Sequence, residues 1–552
     1  MEIGPIHCLV TYRSSNTAFV LQRATRSATA QERDQLNAAV EKLGMKGLHP
    51  HQLDGLRWML QKEQVGAVQE QVPKNTGGLI ADDMGLGKTR QLLSLTLATW
   101  TRGTDSNRFS TSTLIVCDLG LFKTWEAEIS KAVGVDRLPY ILFHKSATDS
   151  RSKEAFLKMD AAEVSKYPIV ITNYEPFKNR RSKLFTCLNA ISWRRIILDE
   201  ASKVKNAETN AAINLKRLTA WSRWCCTATP VENKLTDLQA HFEFLRSPHA
   251  YAALFDKDPS NWTFNDEQIL RDTILRRTKL ALASSSKSGG QRGGELILPQ
   301  LWETSVVHSL SDDEVDRIME ARNEAPNGLV KALREVQAIQ TPGPEDPSGS
   351  ARLNTLMALL KDLRKKVPPT QTFKRYLGPG IPAEVKDMSP ETTIFKIVIF
   401  SLHKADLDHI AERLTALEKS DPKNAKLFTH SLLTGEISKP EDRRTLIDSF
   451  LGSNPNHETN ILLSTLHIGA TGLNLQKANV VILYGHWYNP AIEQQAIARV
   501  HRIGSTYEKV WCFDLKCTEG MSGVMDRMEE IKDGKMELAR AVMEVIEVEH
   551  VE

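Results

Sequence analysis

Residues 82–89, Asp-Asp-Met-Gly-Leu-Gly-Lys-Thr, stand where an apolar run, Gly78-Leu79-Ile80-Ala81, gives way to Arg90-Gln91-Leu92-Leu93-Ser94-Leu95. A strand, a glycine-hinged loop and a helix in that order form a cradle for phosphate. Gly85 and Gly87 let backbone N–H groups turn toward an anion, and the helix N-terminus attracts the same charge. Lys88 is suited to neutralising β and γ phosphates, and the Thr89 hydroxyl to holding Mg²⁺. Asp82, Asp83, Met84, Gly85, Leu86, Gly87, Lys88 and Thr89 therefore form the candidate nucleotide loop. The strict pattern asks for glycine at position 82, where this chain has aspartate. Alone, the motif could be a glycine-rich turn with a chance Gly-Lys-Thr.

A hydrolytic site also needs carboxylates on a neighbouring strand. Arg194-Arg195-Ile196-Ile197-Leu198-Asp199-Glu200 supplies an apolar strand ending in two acids. Asp199 would hold Mg²⁺ through water, and Glu200 would orient and deprotonate the attacking water. Together the two motifs predict ATP and Mg²⁺ as cofactors.

These residues need elements to position them. Fully apolar runs, suited to strands buried on both faces of a parallel sheet, occur at Gly78–Ala81, Thr113–Cys117, Tyr140–Phe143, Ile169–Thr172, Arg195–Leu198 and Trp224–Thr227. The rhythm restarts at Lys396–Ser401 and continues at Leu432–Thr434, Ile461–Ser464, Val480–Tyr484 and Val510–Phe513. The spacing leaves room for crossover helices, so two α/β lobes are expected. Between them, Ser/Gly-rich and Pro-rich stretches flank helical segments at about 312–323 and 351–366, which read as an insertion. The expected organisation is an N-terminal extension (1–44), a first lobe (45–250), a helical and flexible inter-lobe insertion (251–390), a second lobe (391–515) and an acidic C-terminal helix (516–552).

Composition narrows the class. The chain has 552 residues, 41% of them hydrophobic and 25% charged, with a formal net charge of +3. That charge is too small to argue for nucleic acid by itself. No apolar stretch approaches the ~18–20 residues of a membrane span. The first residues lack the basic flank and apolar core of a secretory leader. Seven cysteines form no C-x-x-C pair, so no zinc module or disulfide framework is indicated, which suits a reducing compartment. The basic cluster 178–183 reads more readily as a solvated loop than as a nuclear address.

With both motifs in place, the chain resembles the Swi/Snf-type ATPases of helicase superfamily two. Leu48 to Met59 resembles their upstream Q motif, in which Gln52 would read adenine. Thr113 to Trp125 resembles motif Ia, with Asp118 where a proline is usual, and Thr172-Asn173-Tyr174-Glu175 matches the segment after it. Arg223 to Asn233 resembles motif III, and Ile274 to Lys279 matches the family's Leu-Arg-Arg-Thr-Lys run. Gly469 to Leu475 looks like motif V, and Trp487 to Pro490 with Gln495 to Gly504 like motif VI. The form is closest to the yeast DNA-repair translocase branch, without that branch's RING insertion.

The resemblance implies two RecA-like P-loop NTPase lobes and a DNA-dependent ATPase acting on double-stranded DNA, bare or carrying nucleosomes or other proteins. It also implies a nuclear setting. Gln495, Arg499 and Arg502 join Lys88, Asp199 and Glu200 as catalytic candidates. The two arginines, three apart, are expected to share one helix face and act on the γ-phosphate. Lys123, Asn173, Thr471 and Asn474 are the candidate DNA-facing positions.

Departures stand beside the matches. Ser202 occupies the place of a histidine that links the nucleotide site to motif III, Ala228 that of a glycine, and Glu232 that of a glutamine. Gly485, Ala498 and Ser505 also replace usual residues. An ATP-binding regulator with weak or uncoupled hydrolysis is therefore an alternative, and a strand-separating helicase another. Cys225 and Cys226 read as core packing, His49, His51 and His501 have no metal-ligand spacing, and Trp58 and Met59 belong to a buried helix face.

Overall fold

The computed structural model describes residues 29–45, 47–65, 76–100, 109–134, 138–232, 234–246, 252–279, 281–282, 298–323, 350–363, 396–420, 428–437, 440–452, 459–470, 473–485, 490–502, 505–517 and 523–546. The chain divides into two compact units, Met1–Glu295 with Glu537–Glu552, and Leu296–Met536. Among the described residues no helix is long and apolar enough to cross a membrane.

The first unit is built on a seven-stranded sheet. Its strands are β1 (Gly77–Ile80), β2 (Thr113–Val116), β3 (Tyr140–Leu142), β4 (Ile169–Thr172), β5 (Trp193–Asp199), β6 (Ala220–Cys226) and β7 (Ile274–Leu275). Their order is β3-β4-β2-β5-β6-β1-β7, with every neighbouring pair parallel. Because side chains alternate across a strand, Leu79, Leu114, Val116, Ile196, Leu198 and Cys225 enter one apolar cluster, while Ile80, Ile115, Ile197, Trp224 and Cys226 enter another. This two-sided burial is why the strands read as unbroken apolar runs. Trp58 and Met59 are buried, as expected of their helix, Pro50–Val65.

The second unit carries a six-stranded parallel sheet of β8 (Gln300–His308), β9 (Lys396–Ser401), β10 (Phe428–Leu433), β11 (Thr459–Thr465), β12 (Val480–Leu483) and β13 (Lys509–Cys517). Its order is β10-β11-β9-β12-β13-β8. The chain is thus an α/β protein with two parallel-sheet, RecA-like lobes.

Three elements in the stretch read as an insertion belong to the sheets and their cores. β7 extends the first sheet beside β1, and β8 extends the second beside β13. Helix Ala351–Asp362 buries Leu353, Leu356, Leu359 and Leu360 in the second lobe, where the Arg352 guanidinium donates to the carbonyls of Tyr484 (2.6 Å) and Leu515 (3.2 Å). The C-terminal helix, Gly523–Ile546, ends with Val542 and Ile546 buried in the first unit's core.

One buried polar knot ties the helix Pro50–Val65 to the sheet. Glu63 accepts from Arg195 Nε (2.9 Å) and Nη2 (2.5 Å), Ser222 Oγ (2.6 Å) and Trp224 Nε1 (3.0 Å). Burial alone would raise its carboxyl, but Arg195, Arg194 and Ser222 hold it down at about 2, against an ordinary 4.5. Its stabilising contribution is therefore complete above pH 4.5 and is lost as pH falls through about 2. Glu63→Gln strands the buried Arg195 charge and should cost about 3–5 kcal/mol at neutral pH. Urea unfolding followed by tryptophan fluorescence measures this, and the variant's deficit should shrink on acidification.

Candidate nucleotide site

The nucleotide loop leaves the C-terminal end of β1, where parallel sheets bind ligands. Gly85 and Gly87 adopt φ of 86° and 77°, in the left-handed region. A Cβ at Gly87 would come within 2.1 Å of Gln52 Nε2, so a side chain there would displace the Gln52 amide. Gln52 Nε2 donates to Leu86 O at 3.1 Å, while its Oε1 accepts from His49 N at 3.0 Å. His51 Nε2 lies 2.9 Å from the same Leu86 carbonyl. Burial and the Arg277 charge lower His51 to about 4, so the ring is neutral at physiological pH. Lys88 and Thr89 open helix Lys88–Thr99, and Lys88 Nζ donates to Asp82 O (2.7 Å) and Asp83 O (3.2 Å).

Asp82 and Asp83 enter the loop differently from the rest. The Asp82 carboxylate is fully buried, paired with Arg277 Nε (2.9 Å) and Nη2, and bonded to Gln91 Nε2 (3.0 Å). Burial would raise its pKa, but Arg277 and Gln91 hold it below the usual range. Asp83 accepts from Arg276 Nη2 (3.1 Å) and Lys279 N (3.0 Å). Both carboxylates are thus engaged by residues 276–279, which leaves the backbone of 82 and 83 to line the loop. Ala81 N–Leu275 O (2.7 Å) and Asp83 N–Arg277 O (3.0 Å) continue the β1–β7 pairing into this segment. The Leu-Arg-Arg-Thr-Lys run is therefore the clamp at the root of the phosphate loop.

Asp199 ends β5, adjacent to β6. Its Oδ2 accepts from Trp125 Nε1 at 2.9 Å and its Oδ1 from Glu200 N at 3.1 Å. Tyr174 Oη donates to the Asp199 carbonyl at 2.8 Å. Burial pushes the Asp199 carboxyl up, and Trp125, Lys88, Cys226 and Glu200 N only partly offset it. A buried carboxylate under-compensated in this way, on the sheet edge that carries Lys88 and Thr89, fits a hard divalent cation such as Mg²⁺. Glu200 follows at φ 51°, ψ 54°, a left-handed conformation that costs a non-glycine residue energy and re-aims the chain into the short 3₁₀ helix Ala201–Val204.

The sequence alone places Trp125 and Tyr174 within motifs and Cys226 in the core. Cys226 is indeed buried, and the structure gives Trp125 and Tyr174 each a hydrogen bond to Asp199. Their polar ends, unusual for buried side chains without a partner, were the available hint.

The remaining candidates fall as follows. Gln495 and Arg499 lie on helix Pro490–Val500, four residues apart and on one face. Arg502 lies beyond that helix, so the two arginines do not share a helical face as expected. The chain turns there, with Ser505 N bonding Arg502 O (3.2 Å) and His501 Nε2 2.7 Å from Pro299 O. Leu475 N bonds Arg499 O (3.2 Å) and Ser505 Oγ bonds Gln476 O (3.1 Å), stitching motif V to motif VI within the second lobe. Lys123 is exposed and paired with Glu126 at 3.5 Å, whereas Asn173 is buried with its Oδ1 unpartnered. Asn474 is exposed, and Thr471 lies outside the described residues.

Comparison with known proteins finds these similarities. The SNF2-related domain matches residues 51–287, and the helicase conserved C-terminal domain matches residues 384–504. The chain is similar to "Transcription termination factor 2" of Drosophila melanogaster, 24% identical over 637 residues, covering 92% of this chain and 58% of that protein. It is similar to "Putative ATP-dependent helicase/translocase YwqA" of Bacillus subtilis, 26% identical, covering 83% of this chain and 45% of that protein. The chain therefore spans about half the length of these relatives. A solved "Sulfolobus solfataricus SWI2/SNF2 ATPase core in complex with dsDNA" aligns over 90% of this chain and 95% of that chain, with 23% identity and a TM-score of 0.37.

The two domains together give this chain a Swi2/Snf2-type P-loop ATPase domain architecture.

Trp125→Phe keeps an aromatic ring beside Asp199 but removes the donor. A hydrogen bond to a charged group is worth about 1.5–3 kcal/mol, so turnover at limiting Mg²⁺ should fall roughly tenfold or more. A Mg²⁺ titration of ATP hydrolysis should show a higher half-saturating concentration. A wild-type Mg²⁺ curve would mean that the indole only packs.

Proposed function

We propose that this chain is an ATP-driven double-stranded-DNA translocase that hydrolyses ATP to ADP and phosphate and remodels DNA–protein complexes in chromatin or DNA repair. One observation carries the reading. The segments that follow β2 and β4, which hold the candidate DNA-facing residues Lys123 and Asn173, also hold Trp125 and Tyr174, the donors to Asp199. DNA engaging those segments would act on the residue proposed to hold Mg²⁺, through its carboxylate from Trp125 and through its carbonyl from Tyr174.

In this reading Lys88 and the backbone of 82–87 hold the phosphates, Thr89 and Asp199 hold Mg²⁺, and Glu200 takes the proton of the attacking water. Mg²⁺, when bound, neutralises charge developing on the phosphates. Gln52 reads adenine, and Gln495, Arg499 and Arg502 act on the γ-phosphate. Lys123, Asn173, Thr471 and Asn474 contact mainly phosphates of the duplex, making affinity salt-dependent and weakly sequence-specific. The motif forms support the DNA-repair translocase branch without a RING insertion. Nuclear residence goes with that resemblance.

The test is ATP hydrolysis with and without duplex DNA, alongside Lys88→Ala and Glu200→Gln. We expect DNA to stimulate the wild type and both variants to lose turnover by about 10³-fold or more. Displacement of a third strand from a triplex should require ATP, and a tailed duplex should stay paired. Wild-type turnover equal to that of Lys88→Ala with and without DNA would favour the ATP-binding regulator, and robust strand release would favour a helicase.

A further inference from the structure

Two departures from the family pattern, Asp118 and Glu232, are both acidic, and both pair with lysines on the turn that follows Glu200. Lys203 Nζ lies 3.2 Å from Asp118 Oδ2, and Lys205 Nζ pairs with Glu232 Oε2. Asp118 follows β2 and Glu232 follows β6, and these strands flank β5 on either side. The short helix Ala201–Val204 is therefore held from both neighbouring loops. Glu232 is itself fixed, its N–H donating to Asp237 Oδ2 at 3.0 Å and its Oε1 accepting from Thr229 Oγ1 at 3.5 Å. Ser202, by contrast, is bonded through its backbone, its carbonyl accepting from Lys205 N at 3.3 Å.

We propose that the Lys203–Asp118 and Lys205–Glu232 ion pairs position Glu200 for hydrolysis, the second of them carrying the link between the β5 carboxylates and motif III that a side chain at 202 carries elsewhere. Glu200 sits in a left-handed conformation that its surroundings must hold, and Ala201 and Val204 anchor only one side of the following turn in the core. The two pairs fix the outer side. Lys203, Lys205, Asp118 and Glu232 are positioning residues, acting through the backbone of the turn. The pairs are partly solvated, with Lys203 and Asp118 side chains 53% and 30% exposed, so salt weakens them. The inference deepens the ATPase reading above by naming how its water-activating residue is held.

The test uses the full chain with Asp118→Asn, Glu232→Gln and the swap Lys205→Glu/Glu232→Lys. Two readouts are taken: steady-state ATP hydrolysis, and hydrogen exchange of the backbone amides of residues 200–206. The single variants should lower kcat roughly three- to tenfold with KM for ATP unchanged, because misplacement of a reacting group reduces rate without removing ground-state binding. They should also speed exchange across 200–206, and the swap should restore both quantities. Wild-type exchange in the single variants, or wild-type kcat in a chain that turns over ATP, overturns the proposal. Failure of the wild type to hydrolyse ATP would contradict the proposed function, and exchange alone would then decide whether the pairs hold the turn.

Discussion

The burial of Asp199 is the constraint on which the first lobe's chemistry rests. Seven residues of β5 run through the sheet centre and deliver one carboxylate to its ligand-binding edge, where water can no longer solvate it fully. Such a group must find donors or a cation. The chain provides Trp125, after β2, as a donor to the carboxylate, while Tyr174, after β4, donates to the same residue's carbonyl. Each comes from a segment bordering the same edge of the sheet. A displacement of either alters the field at Asp199.

The phosphate loop follows the same logic of attachment from afar. Its flexibility comes from Gly85 and Gly87, and its placement from Arg276, Arg277 and Lys279 at the root and Gln52 and His51 at the tip. The Asp82–Arg277 pair is wholly buried, so removing either partner would leave a stranded charge beneath the loop. Aspartate at position 82, where the strict phosphate-loop pattern has glycine, is thereby accounted for as the clamp's acceptor.

Much of the fold was readable because buried parallel strands announce themselves as apolar runs. β4 and β9 matched the expected bounds residue for residue, and the others shifted at their ends. β7 escaped because two residues make no pattern, and β8 because it is an edge strand with many half-exposed positions. Helix Ala351–Asp362 was expected, but nothing local could say that its leucines complete the second lobe's core. At the site, Lys88, Asp199 and Glu200 were legible from residue type and order. The partnership of Asp82 with Arg277 spans 195 positions and becomes visible only in three dimensions. The same holds for Trp125 with Asp199, and for the acidic departures at 118 and 232 that find lysines on one turn.

The central claim is that the segments beside β5 control hydrolysis through their bonds to Asp199. Tyr174→Phe tests it most directly, because it removes a single hydroxyl that donates to the Asp199 carbonyl and leaves the phosphate loop and Glu200 intact. The quantity to measure is the ratio of kcat with saturating duplex DNA to kcat without it. The account predicts that this ratio falls several-fold toward one while KM for ATP stays near that of the wild type. A wild-type ratio in a folded Tyr174→Phe chain would contradict it.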